Sequence, residues 1–311
     1  KPDSYYNAII RWVKSRYGLD VTKEMINYVP GIVPGIGMAM NAFTEKGDKV
    51  MIQPPVYHPF AWLTERNERT LVTCPLRWEG EMYRMDMAAF RERIKGCKLF
   101  ILCNPHNPGG VVWQEEELQE VARICHDEGV LVFSDEIHAD LTLPPYRHRP
   151  FAMISEEARM NSITFMSPSK AFNMPGLSAS HAIIPNPELR ARFRKFMDAC
   201  ELDLGHAFAF LAVEAAYSNG TEWLEQCLAY IQGNVDYMDE YLKANAPKIK
   251  VVRPQASYLV WLDCREMGMT QEDLNRFFVE KARLALNDGA MFGKEGEGFM
   301  RFNAGCPRSV I

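Results

Sequence analysis

Four short segments carry side chains whose types and order could do chemistry together. They are Pro54-Pro55-Val56-Tyr57, Asn104-Pro105-His106-Asn107-Pro108-Gly109-Gly110, Ser134-Asp135-Glu136-Ile137-His138 and Ser167-Pro168-Ser169-Lys170. They offer an aromatic ring, an amide, a carboxylate, and an amine flanked by hydroxyls. Taken singly, each has an ordinary reading. Asn-Pro-Gly stretches are turn chemistry, and an acidic residue after a strand is often a helix cap. A lysine on a serine-rich loop is commonly solvated, and a tyrosine after Pro-Pro packs more often than it stacks. Together, each following an apolar run that reads as a strand, they could converge on one flat, polar, anionic ligand.

The elements that must position them alternate in kind. Residues 5–17 place apolar side chains at helical spacing and stop at Gly18. Strands are expected at 49–53, 70–74, 98–103, 130–133, 162–166 and 182–184. Between the third and fourth, residues 114–128 read as a helix with an acidic first turn, ended by Gly129. Near-continuous apolar strands alternating with helices predict a mostly parallel sheet covered on both faces. In such sheets ligands gather at the carboxyl ends of strands, which is where the four segments fall. From about 187 the pattern turns helical, through 187–217 and 221–245. Strands at 250–252 and 258–262 and a helix at 270–283 then suggest a smaller α+β unit. The expected division is 1–245, with helix 221–245 joining the units, and 246–311.

Composition narrows the function classes. The 311 residues are 47% hydrophobic with a net charge of −5, ordinary for a globular chain and giving no reason to expect nucleic acid. No run of 18 apolar residues suggests a membrane span. Eight scattered cysteines without a C-x-x-C fit a reduced, cytoplasmic protein. No metal site is expected, because His126 and His206 have no second ligand at helical spacing. Neither G-x-G-x-x-G after the first strand nor G-x-x-x-x-G-K-[ST] occurs, so dinucleotide and P-loop sites are unsupported. The run Arg190, Arg192, Arg194, Lys195 reads as a solvated helix face.

The strings NPHNPGG, SDEIH, SPSKAFNMPGL and FMRFNAGCPR, in that order, resemble the fold-type-I pyridoxal-phosphate enzymes of the class I/II aminotransferase superfamily. VPGIVPGIGMAMNAFTEKGDKVMIQPPVYHPF, the histidine of DEIH, and SKAFNMPGL are similar to its cystathionine β-lyase (C–S lyase, MalY/PatB-type) branch. The likeness covers essentially the whole chain. It implies an aminotransferase-like α/β large domain with a smaller C-terminal α+β domain, a homodimer, and pyridoxal 5′-phosphate as cofactor. It further implies α,β-elimination on a cysteine S-conjugate, giving thiol, pyruvate and ammonia. Lys170 would hold the cofactor aldehyde and act as general base at the substrate α-carbon, with burial and the cofactor lowering its pKa. Asp135 would pair with the pyridine nitrogen, Asn107 and His138 would bond the ring oxygen, and Tyr57 would stack on the ring. Backbone N–H groups of Ile32 and Val33, before a helix starting near Pro34, would meet the phosphate together with the hydroxyls of Ser167 and Ser169. Arg301 would fork onto the substrate carboxylate.

Three departures from the wider superfamily stand out. Ser178 occupies the place where many aminotransferases have a phosphate-gripping arginine. His138 replaces a tyrosine, and an imidazole can titrate near neutrality. Relatives extend further at both ends, including an N-terminal Gly-Tyr segment that reaches into the partner subunit's site, so terminal parts of the family fold are expected to be missing here. Two alternatives share these residues. One is an aminotransferase on the same fold. The other is a cofactor-binding regulatory protein that contacts a transcription factor.

Overall fold

The computed structural model describes residues 1–311. The chain opens with α1 (Asp3–Tyr17), closed by Gly18 at φ 75°, then β1 (Ile26–Val29), α2 (Ile32–Phe43), β2 (Lys49–Ile52), α3 (Pro59–Arg66) and β3 (Thr70–Thr73). A hairpin of β4 (Arg77–Glu79) and β5 (Met82–Arg84) precedes α4 (Met87–Arg93), β6 (Cys97–Cys103), α5 (Glu115–Asp127), β7 (Leu131–Asp135), α6 (Glu156–Met160), β8 (Ser162–Met166) and β9 (Ser180–Ile183). Three helices follow: α7 (Pro187–Ala199), α8 (Ala207–Asn219) and α9 (Thr221–Asn245). The rest comprises β10 (Lys250–Val252), β11 (Leu259–Asp263), α10 (Gln271–Arg276), β12 (Asn287–Asp288) and β13 (Phe299–Asn303).

The main sheet has the order β1-β9-β8-β7-β6-β2-β3. Strands β2, β3, β6, β7 and β8 run parallel, and β9 runs against β8. Because β1 in turn runs against β9, it points the same way as the parallel set. One edge therefore collects the carboxyl ends of six strands and the amino end of β9. Alternate side chains supply both faces. Leu99 and Ile101 of β6 join the core under α2 and α7, while Phe100 and Leu102 join the core under α4 and α5. Burial on both sides explains why these strands read as continuous apolar runs.

The second sheet, β10-β11-β13-β12, is antiparallel and lies wholly after α9. It shares a core with the main sheet, since Val252, Trp261 and Phe299 pack with Met51, Phe100 and Val132. Trp261 stacks on Phe299 at 5.3 Å between ring centroids. Residues 254–257 tie the two sheets together. The Gly110 carbonyl accepts the Gln255 and Ala256 amides at 2.7 and 3.1 Å, and the Leu141 carbonyl accepts the Ser257 amide at 2.9 Å. Gly110 sits at φ 67°, and a Cβ there would come within 2.7 Å of Pro254. Only glycine lets these backbones meet.

Several expectations need correction. The helical pattern over 187–217 is two helices, because left-handed backbone at Glu201 (φ 51°) and Gly205 (φ 66°) stops one and re-aims the next. Helix α2 starts at Ile32 rather than near Pro34. The helix expected over 270–283 is α for Gln271–Arg276, turns π for Phe277–Lys281, and ends there. The α7 basic run is largely exposed, as expected, with Arg192, Arg194 and Lys195 on the surface and Arg190 half-buried, but three of its arginines also hold backbone carbonyls. Arg190, Arg192 and Arg194 donate to the carbonyls of Ile184, Ala42 and Glu24, stapling α7 to the sheet margin.

Candidate active site

At the edge where the parallel strands end lies a cleft of about 450 Å³, in the size range of small-molecule sites. Tyr57, Asn107, Asp135, His138, Ser169, Lys170 and Arg301 all line it, together with Ile32 and Val33. They arrive from six separate places in the fold, one of them the start of α2. Tyr57 follows β2, Asn107 follows β6, Asp135 ends β7, and Lys170 lies in the turn after β8. Arg301 comes from β13, set opposite Trp261 of β11 and Asn287 of β12.

The buried groups in the cleft have valences that the chain does not use. The Asp135 carboxylate accepts one hydrogen bond, from the Ile137 amide at 3.1 Å. Burial raises its pKa to about 7; the Ile137 amide opposes the rise and neighbouring Glu136 adds to it. It is the one carboxylate in the cleft. Arg301 donates to Asn107 Oδ1 at 2.9 Å and to Asn287 Oδ1 at 2.8 Å, and its guanidinium lies 4.6 Å from the Phe292 ring centroid. Its Nε is buried without a partner. Both partners are neutral amides, so this half-buried cation still lacks an anion. The bond to Arg301 also fixes the Asn107 amide with its oxygen occupied and its N–H₂ free to donate.

His138 is buried with Nδ1 unpartnered. Burial, helped by the charges of Lys170 and Arg301, depresses its pKa to about 3. The expectation that this imidazole titrates near neutrality is therefore overturned: it is neutral and can either donate or accept. Tyr57 is half-buried, with its hydroxyl pKa raised by burial and by Asp135.

The start of α2 supplies anion donors. Gly31 at φ 146° turns the chain into the helix, and Gly35 is the first residue to donate back, to the Gly31 carbonyl at 2.9 Å. Pro34 has no N–H, so the free amides at this end are those of Ile32 and Val33. Ser169 lines the cleft, but Ser167 does not. Its hydroxyl donates to the Ala179 carbonyl at 2.8 Å and accepts the Ser169 amide at 3.1 Å. Having spent its proton on the turn that presents Lys170, Ser167 has none for an anion. Ser178 and Ser180 also line the cleft.

The reading of strand ends did not anticipate Ser180, Tyr258, Asn287 or Asn303 in the cleft wall. Asn303 stands in the quoted FMRFNAG string and was accessible there. Asn287 belongs to a two-residue strand and gives no signal of its own. A flat heteroaromatic ring with a basic nitrogen, an acidic ring oxygen and a phosphate fits these donors. Asp135 suits the nitrogen, Asn107 and His138 the oxygen, and the α2 amides with Ser169 the phosphate.

Comparison with known proteins identifies the family. The family described as aminotransferase class I and II matches residues 2–311. The chain is 41% identical to cystathionine beta-lyase PatB of Bacillus subtilis over 98% of its length and 79% of that protein's. It is 31% identical to Protein MalY of Escherichia coli, over 100% of the chain and 80% of the relative. Cystalysin from Treponema denticola, whose crystal structure contains pyridoxal 5′-phosphate, superposes with a TM-score of 0.97 at 34% identity, over 99% of this chain and 79% of that one.

Proposed function

Since the chain belongs to the class I and II aminotransferase family, we propose that it is a pyridoxal-phosphate-dependent carbon–sulfur lyase acting on cysteine S-conjugates. The overall change breaks Cα–H and Cβ–S and consumes one water, giving a thiol, pyruvate and ammonia. The cleft, with an amine, a buried carboxyl and a guanidinium without an anion, supports the cofactor; the observation that favours a lyase over an aminotransferase is the 41% identity to cystathionine beta-lyase PatB over 98% of the chain. When bound, pyridoxal phosphate supplies the electron sink that makes the substrate's Cα–H acidic.

The chain's own residues do the rest. Arg301 and Asn107 bind the α-carboxylate, which fixes the rotation about Cα. Lys170 holds the cofactor aldehyde, then takes the proton from Cα and returns a proton as the thiolate leaves. Asp135 keeps the ring nitrogen protonated by offering it a buried carboxylate. Neutral His138 and the Asn107 amide bond the ring oxygen, and Tyr57 covers a ring face. The Ile32 and Val33 amides, Ser169 and Ser178 hold the phosphate without a guanidinium from this chain. Residues 1–245 serve as the cofactor-binding unit and 246–311 as the smaller unit that brings Arg301. A homodimer in the cytoplasm suits the family resemblance and eight cysteines, none of them paired.

The test is to load the protein with pyridoxal phosphate and add L-cystathionine without any 2-oxo acid. Equal, continuing release of pyruvate and thiol is expected. A single equivalent of reaction that stops with the cofactor in its amine form would point to an aminotransferase instead.

A further inference from the structure

Three other arginines of the smaller unit sit beside carboxylates: Arg253 with Asp236 and Asp239, Arg265 with Asp263, and Arg276 with Glu272 and Asp273. Arg301 instead has Asn107 Oδ1 at 2.9 Å and Asn287 Oδ1 at 2.8 Å. An arginine only donates, so both amides turn their oxygens to it. Burial pulls its pKa down, and the groups that push it back are Tyr57 and Tyr258, with no carboxylate among them. Asn287 lines the cleft and stands opposite Arg301 in the β12–β13 pairing. The next residue, Asp288, is an acid, but its carboxylate is engaged elsewhere. It accepts from Gln271 Nε2 and Asn275 Nδ2, each at 2.6 Å, and from the Ala290 amide at 2.8 Å.

We propose that Asn287 is a positioning residue for the substrate carboxylate: its neutral amide fixes one arm of the Arg301 fork without spending the positive charge. The inference rests on the reading above, in which Arg301 receives the α-carboxylate of an amino acid held at the cofactor. Asn107, from the loop after β6, fixes the other arm, and Phe292 lies 4.6 Å from the guanidinium. The fork is thus framed from both units and kept without an anion. A carboxylate at 287 would accept the same hydrogen bond, but it would also neutralise the guanidinium and repel the incoming substrate. An alanine would leave the charge available and let the fork swing. Recognition of a carboxylate should therefore rank Asn287 first, alanine second and aspartate last. A purely structural acceptor would give another order, with aspartate as good as asparagine and alanine last.

The test uses the cofactor-loaded protein and two probes that differ in a carboxylate. Aminooxyacetate and O-methylhydroxylamine both attack the cofactor's aldehyde carbon through an aminooxy nitrogen, and each reaction is followed as loss of the visible absorbance. The ratio of their second-order rate constants reads carboxylate recognition and needs no elimination. Wild type should favour aminooxyacetate by about tenfold or more, the worth of a hydrogen-bonded charge. Asn287→Ala should lower that ratio by about threefold, and Asn287→Asp at pH 8 by about tenfold or more. Both substitutions fall on an exposed residue, so the variants should keep the cofactor absorbance. For L-cystathionine, KM should rise in the same order, by more than kcat falls. An Asn287→Asp ratio equal to wild type, or lowered less than that of Asn287→Ala, would overturn the inference, as would a wild type that does not prefer aminooxyacetate. If L-cystathionine gives no pyruvate while the probe ratios keep the expected order, the lyase reading fails and the inference about Asn287 stands.

Discussion

Asp135 and Glu136 are neighbours in the chain, and both are buried, yet they live in opposite regions. Strand alternation sends them to different sides of the β7 end. Glu136 accepts from Ser134 Oγ at 2.9 Å, His148 Nε2 at 2.6 Å and the Phe151 amide at 2.9 Å. Asp140, a few residues on, is closed in the same way by Trp12 Nε1 at 3.0 Å, the Tyr17 hydroxyl and Arg16. Asp135 has one amide, and around it stand an unpartnered His138 nitrogen and an Arg301 with no carboxylate. Buried polar groups normally find partners within the chain. Those that do are holding the fold. Those that converge on a cleft with partners still missing mark where a ligand belongs.

Substitutions in the two regions should separate activity from stability. The largest effect is expected at Lys170. Lys170→Ala should cut pyruvate release by about 10³-fold or more, with the thermal unfolding midpoint barely changed, because the amine is not part of a closed network. Glu136→Gln is the opposite case. It leaves an Oε1 acceptor for Ser134 and the Phe151 amide but puts an amide nitrogen where buried Oε2 meets His148, so urea unfolding should show a loss of about 1–3 kcal/mol, while folded molecules keep the cofactor absorbance.

Asp135→Asn should do something neither of those does. Folding raises this carboxyl from 3.8 to about 7. A carboxyl raised on folding contributes stability below its unfolded value and loses it as the pH climbs through the folded one. Without cofactor, wild type should therefore fall in stability relative to Asp135→Asn between pH 3.8 and about 7, by an amount on the order of a few kcal/mol. With cofactor the order should reverse, since the asparagine cannot hold the ring nitrogen proton. Unfolding curves at pH 4 and pH 8, with and without pyridoxal phosphate, check the crossover. The smallest effect is at His138. With its pKa depressed to about 3, His138→Gln should lower activity without moving either limb of the pH–rate profile between pH 5.5 and 8. A limb near pH 6.5 that disappears in the variant would mean the imidazole titrates after all.

Much of this site was legible in the sequence because its parts stand where strands stop. Asn107, Asp135 and Lys170 each follow an apolar run that announces its own end. Arg301 was readable only as part of a motif. What brings it to the cleft is the pairing of β13 with β11 and β12, a long-range register that local pattern does not carry. The same limit hid β1, whose four residues are too few for periodicity, yet whose carboxyl end presents Gly31 and the α2 amides. Ser167 and Ser169 look alike in sequence, and only the path of residues 178–180 decides that the first bonds Ala179 while the second faces the cleft. The α7 arginines lie on a largely exposed face, as their pattern implies, but their bonds to backbone carbonyls gave no local signal. The carbonyls that they hold, on Ala42 and Glu24, come from segments far off in the chain.

The account turns on Lys170 being the residue that holds the cofactor. Borohydride reduction of the pyridoxal-phosphate-loaded protein, followed by peptide mapping in a mass spectrometer, asks this directly. The phosphopyridoxyl label should appear on the peptide containing Ser169-Lys170-Ala171 and be absent from Lys170→Ala. A label on another lysine, or no label on a protein that has taken up the cofactor, would contradict the assignment of the cleft.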